Sequence, residues 1–109
     1  MNYLKKAEPL QLSNNTIDKT IEELGCIPNH ANSIILQITT SKNNITRIRH
    51  IKSTGVLLSQ VQATEEQQIY SIEVPFIAES VSQNGEPQSK RLSIHATGSP
   101  TIKVLGYRA

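Results

Sequence analysis

The side chains able to do chemistry are few in this sequence, and they are scattered. His30, His50 and His95 each stand alone, without a second ligand at the spacing that protein metal sites use. Cys26 is the only cysteine, so no disulfide can form within the chain, and no His–acid pair near it would activate its thiol. We therefore expect a non-enzymatic protein with no catalytic residue, no metal site and no cofactor.

The one concentration of charge is basic, and its members are Lys42, Arg47, Arg49, His50 and Lys52. Arginines two residues apart share one face of an extended strand, and guanidinium groups suit paired hydrogen bonds to carboxylates. We interpret the cluster first as a solvated strand face and next as a patch that docks on an acidic partner. If it docks, Arg47, Arg49 and Lys52 make the contact. Nucleic acid is not expected as a partner, because no aromatic residues interleave to stack bases and the net charge is only +2.

Hydrophobic alternation indicates that β-strands carry these residues. Ile34, Leu36 and Ile38 alternate with more polar positions, which predicts a strand with one buried face. The core must be aliphatic, because Trp is absent and aromatic residues make up 4% of the chain. β-Branched Ile packs well on such sheets. The predicted strands cover 33–40, 45–52, 56–61, 68–74, 76–81, 89–96 and the run that begins at Ile102.

Turn signals separate these runs. Asn84-Gly85 predicts a tight hairpin turn, and Thr97-Gly98-Ser99-Pro100 predicts a second hairpin that joins the last two strands. Residues 16–25 fit a short helix or turn, with Thr16 as its cap and Gly25 as its end, better than an irregular strand.

These elements predict an all-β fold, either an antiparallel β-sandwich or a jelly-roll-like barrel. We assign residues 16–109 to a single β-sandwich domain and residues 1–15 to an extended N-terminal arm. Leu10 and Leu12 could place a short strand of the arm on a neighbouring subunit, or the arm could fray; both alternatives stay open. No apolar run approaches the length of a membrane span, so no membrane partner is expected, and no apolar core of a signal peptide follows Lys6.

Three segments of the sequence together resemble small virion proteins of tailed bacteriophages. In Ile27-Pro-Asn-His-Ala-Asn-Ser-Ile-Ile-Leu-Gln37, an Ile-Pro-x-x-Ala entry leads into an apolar strand. Ile45-Thr-Arg-Ile-Arg49 follows. Residues 92–108 end on the pattern x-Gly-Ser-x-x-Ile-x-Val-x-x-Tyr. The matching parts span roughly half of the chain, while residues 53–90 carry no pattern of that family.

The resemblance implies a structural protein of the virion, assembled in the host cytoplasm. It implies a capsid decoration (cement) protein that binds the major capsid protein, as a homotrimer at three-fold positions of the shell. A tail, neck or fibre-base component is the alternative within the particle. A carbohydrate-binding adhesion module is a further alternative, disfavoured because no Trp and only three Tyr are available to stack on sugar rings.

Overall fold

The structure is a computed structural model that describes residues 2–28, 30–50, 57–75 and 91–109. Within these ranges the chain forms eight strands and one turn of helix. The elements are β1 (Asn2–Leu10), β2 (Thr16–Thr20), α1 (Ile21–Leu24), β3 (Ser33–Thr40), β4 (Ile45–His50), β5 (Leu57–Gln62), β6 (Gln68–Pro75), β7 (Arg91–Ala96) and β8 (Thr101–Arg108).

The strands make two four-stranded antiparallel sheets. We call the one with the order β1-β8-β3-β6 sheet A and the one with the order β2-β7-β4-β5 sheet B. β4 and β5 are consecutive strands that pair; the other links between consecutive described strands cross from one sheet to the other. This alternation between two facing sheets is the strand order of a jelly roll. The predicted all-β antiparallel sandwich is therefore confirmed.

An aliphatic layer between the sheets holds the sandwich together. Ile34, Leu36 and Ile38 of β3 are fully buried, as their alternation predicted. In sheet B, Ile17, Ile94 and Ile48 lie side by side on three neighbouring strands and are buried too. Each buried aliphatic side chain of this size stabilises the fold by about 1.5–3 kcal/mol relative to its exposed state. The core thus needs no aromatic residue at its centre.

The hairpin predicted for the last two strands is wrong. β7 pairs with β2 and β4 in sheet B, whereas β8 pairs with β1 and β3 in sheet A. Residues 97–100 carry the chain between the sheets, with Gly98 at φ 72° and Ser99 at φ 52°. A bend between sheets uses the same Gly and Pro chemistry as a tight hairpin, so the local sequence could not separate the two.

The short helix or turn predicted for residues 16–25 is wrong for its first half. Residues Thr16–Thr20 form β2, and Ile21–Leu24 form the helical turn α1. The strand is favoured because Ile17 lies opposite Ile94 and is buried there. The predicted strand at 76–81 and the Asn84-Gly85 turn lie outside the described residues.

Much of the segment expected to form an arm is β1, which is one of the two edge strands of sheet A. β1 pairs with β8 of the same chain, and its register shifts between Tyr3 and Glu8. Tyr3 lies opposite Gly106, where the two backbones come close together. A Cβ at position 106 would overlap the carbonyl oxygen of Asn2 and lie 2.9 Å from the Cα of Tyr3. Glycine is therefore required there for β1 to dock.

Gly106→Ala is expected to lower the free energy of unfolding by about 1–3 kcal/mol, because the new methyl group must push the β1 backbone away. Urea denaturation measures this loss, and faster hydrogen exchange confined to β1 would locate it. Lys103→Ala, on the exposed face of the same strand, is the control and should change stability by less than about 0.5 kcal/mol. Equal stability of Gly106→Ala and the native chain would contradict the close approach.

Candidate functional site

The two arginines of the predicted docking cluster lie on the outer face of sheet B. In β4, Thr46 and Ile48 are buried between the sheets, and Arg47 and Arg49 alternate with them. Arg47 is exposed and Arg49 is half-buried. Strand alternation thus separates the charged groups of β4 from the apolar core.

The neighbouring strands complete this surface. His95 of β7 lies directly opposite Arg47, and Ser93 lies opposite Arg49. On the other side of β4, the Nε of Arg47 donates a hydrogen bond to the Oε1 of Gln60, at 3.1 Å. We call this surface the basic face, and it consists of Arg47, Arg49, His95 and Gln60. Its guanidinium groups can bind carboxylates of a partner.

Sequence reasoning missed the part that His95 plays in this surface. The alternation within 89–96 placed His95 on the other face of its strand from Leu92 and Ile94. Nothing in the local sequence indicated that this strand, β7, would pair with β4. His95 reaches Arg47 through a pairing of segments far apart in the sequence. No short pattern signals such a neighbour.

Ser93 and Asp18 also lie opposite each other in sheet B, next to the basic face. With His95, they bring together the residue types of a serine hydrolase. However, the Oγ of Ser93 is buried, and no described residue forms a hydrogen bond with it, so His95 does not accept its proton. The arrangement shows no activated nucleophile at this position.

The other predicted docking residues lie elsewhere. Leu10 and Leu12 are half-buried, pack against the chain's own core and line an open pocket of about 260 Å³. The turn containing Ser99 and Pro100 forms the other wall, and the Oγ of Ser99 donates to the Oδ1 of Asn15 at 3.0 Å. Lys52 lies outside the described residues. The structure therefore joins Arg47 with Arg49 but places the leucines at sheet A, and docking by any of them stays a prediction.

A second polar cluster lies on the outer face of sheet A. The guanidinium of Arg108 donates from Nε to Oε2 of Glu73 at 3.0 Å and from Nη2 to Oε1 at 3.1 Å. The hydroxyl of Ser33 donates to the same Oε2 at 2.8 Å. The hydrogen bonds from Arg108, and to a smaller extent the one from Ser33, lower the pKa of the Glu73 carboxyl. In turn, the hydrogen bond to Glu73 raises the pKa of the Arg108 guanidinium. These bonds tie together the strands β8, β3 and β6.

Large apolar side chains that face solvent are found on edge strands. Tyr3 of β1 is 68% exposed, Leu57 of β5 is 45% exposed and Ile69 of β6 is 64% exposed. Each of these strands lies at the end of its sheet. Exposed apolar groups beside an unpaired strand edge are typical of contact surfaces.

The single cysteine lies in the segment between α1 and β3. Cys26 is half-buried, and this burial raises the pKa of its thiol. In residues 2–28, 30–50, 57–75 and 91–109, His, Cys, Asp and Glu form no group of three that could hold a metal ion. Among the described helices, none has the length and apolar character needed to cross a membrane.

Known proteins supply no further assignment. No protein-family model, curated protein or solved structure matches this chain. The function therefore has to be argued from its own surfaces.

Glu73→Gln should remove the pH dependence that this carboxyl gives to stability. Because the folded-state pKa lies below the ordinary value of 4.5, the contacts of Glu73 stabilise the fold above pH 4.5. This contribution disappears as the pH falls through the lowered folded value. Urea denaturation across this pH range should show that the difference in free energy of unfolding between the native and the variant chain becomes smaller as the pH falls. Glu65→Gln, in an exposed loop, is the charge-matched control, and the same trend in both variants would contradict the assignment.

Proposed function

We propose that this protein is a non-enzymatic structural protein of a bacteriophage virion, and specifically a capsid decoration protein that stabilises the head. The observation that carries the proposal is the position of the exposed apolar side chains. Tyr3, Leu57 and Ile69 all lie on edge strands, where the backbone of another chain could pair. A protein that works by contact needs such surfaces on a rigid body, and the interlocked sandwich provides that body.

The strand order gives weaker support. Jelly rolls form viral capsid domains, but they also form lectin domains and cupins. A fold that hosts several functions cannot choose between them, so the argument depends on the surface of this chain. Of its tyrosines, Tyr70 donates its hydroxyl to Gln62 and Gln68, and Tyr107 packs against the core. Tyr3 is the exposed one, which leaves little aromatic surface for sugar rings.

The proposed contact with the major capsid protein uses the basic face. Arg47 and Arg49 point outwards from one sheet and can meet acidic side chains of the shell. The pocket at Leu10 and Leu12, which has both apolar and polar lining residues, offers a second contact. Single contacts of this kind are weak, but many copies on one shell act together.

The assembly state belongs to the same proposal. The resemblance to phage decoration proteins implies a homotrimer at the three-fold positions of the capsid. A tail, neck or fibre-base position uses the same kinds of surface and is the alternative that imaging must exclude.

Imaging of virions tests the proposal directly. Particles made with and without this chain should differ by density on the head, and adding the purified protein should restore that density. Density on the tail or neck would move the protein to the alternative position. Absence from both, together with specific binding on a glycan array, would replace the proposal by the adhesion module.

Charge reversal tests the docking surface. The double variant Arg47→Glu/Arg49→Glu is expected to weaken attachment to particles lacking the chain by about tenfold or more, because two attractive contacts become repulsive. Co-sedimentation of purified protein with such particles measures this loss.

The matched control for that experiment is Lys6→Glu/Lys103→Glu, which makes the same change in net charge on two exposed positions of sheet A. Circular dichroism should confirm that both variants keep the native fold. Equal attachment of the two double variants would return Arg47 and Arg49 to the interpretation as a solvated strand face.

A further inference from the structure

The four edge strands of the sandwich differ in how well they are protected against pairing with another chain. β1 carries Lys5, Lys6 and Pro9, and its register is broken by a bulge. β2 has only five residues. The register of β5 against β4 shifts between Ile48 and Arg49 of β4. Short length, charge, proline and bulges are the features that keep strand edges from pairing.

β6 lacks most of this protection, and its one proline, Pro75, stands at its last position. Its eight residues pair with β3 in one unbroken register, and no described strand pairs with its other side. Glu73 is its one charged side chain, and Arg108 already neutralises it through three hydrogen bonds. Ile69 presents an exposed apolar side chain. A long, regular and nearly neutral edge of this kind is a template for strand addition.

We propose that β6 pairs antiparallel with β6 of a second copy of this chain, so that two copies of sheet A join into one continuous sheet. The contact goes beyond the virion proposal, because it is a property of the chain alone. Antiparallel pairing of one strand with itself closes a two-fold dimer.

The sequence of β6 selects one register for this pairing. Residues directly opposite each other must point to the same face of the joined sheet. The two-fold axis must therefore pass through a residue of β6 and not between two residues. A register centred on Ser71 places the carboxylate of Glu73 against Ile69, and one centred on Glu73 places like charges together. Both are unfavourable.

The register centred on Ile72 avoids both conflicts. Ile72 then lies opposite Ile72 of the second copy, Ile69 opposite Pro75, and Tyr70 opposite Val74. On the outer face, the hydroxyl of Ser71 lies opposite the Glu73 carboxylate, to which it can donate a hydrogen bond. The strand is therefore complementary to itself in this register, which identifies the occupant as a second copy.

Substitutions at Ser71 test both the contact and its register. Ser71→Glu places two carboxylates opposite each other at two symmetric positions and should weaken the dimer by about tenfold. Ser71→Lys places an ammonium opposite Glu73 instead and should leave the dimer as tight or tighter. Sedimentation equilibrium of the full chain measures both dissociation constants. Thr101→Glu, on the same face two strands from the edge, is the control and should leave the dimer unchanged.

A cross-linking experiment checks the two-fold axis separately. In a Cys26→Ser background, Ile72→Cys should give a disulfide-linked dimer under mild oxidation, whereas Thr101→Cys should not. Cβ atoms opposite each other in a strand pair lie within about 4.5–5.5 Å. A native chain that stays monomeric at millimolar concentration would overturn the pairing, as would equal effects of Ser71→Glu and Ser71→Lys or no cross-link at position 72.

The two-fold contact of β6 is separate from the three-fold contact of the proposed decoration protein and would join trimers to one another. A species that stops at the trimer would overturn the pairing of β6, but it would support the decoration protein. Unchanged capsid attachment of the Arg47→Glu/Arg49→Glu variant would count against the docking surface, but it would leave the pairing of β6 untouched. The failure of one proposal is thus distinguishable from the failure of the other.

Discussion

Burial of aliphatic side chains between two facing sheets is the constraint on which the rest of this structure depends. The central strands β3 and β8 of sheet A contribute Ile34, Leu36, Ile38, Ile102 and Val104, all essentially inaccessible to water. Sheet B supplies a matching layer. Because hydrophobic burial has no preferred direction, it alone would tolerate many strand orders. The backbone hydrogen bonds between neighbouring strands select among them.

The alternation that fills this layer also determines what the outer surfaces can do. Every residue that packs inwards has neighbours in the chain that point outwards, so the basic face is the necessary counterpart of buried Thr46 and Ile48. The Arg108–Glu73–Ser33 cluster arises in the same way on sheet A. Function in such a protein lies in what alternate positions present to a neighbour.

The sequence predicted the composition of the fold better than its connections. Alternation at Ile34, Leu36 and Ile38 correctly identified a strand and its buried face, and turn residues marked where strands end. A period of two indicates which face a residue occupies but not which strand lies beside it. For that reason the Thr97–Pro100 bend looked like a hairpin, and residues 16–20 looked like part of a helix until Ile94 provided their partner. The contact between Arg47 and the strand of His95 was out of reach for the same reason.

The position of β8 has a consequence for how the protein is made. β8 follows every other described strand in the chain, yet it lies between β1 and β3 and joins them. On the ribosome, the edges of β1 and β3 that pair with β8 must therefore stay open until β8 emerges. Folds dominated by such distant pairings mature slowly, in milliseconds to seconds. The nascent chain is thus exposed to mispairing and chaperone capture until β8 has been made and can pair.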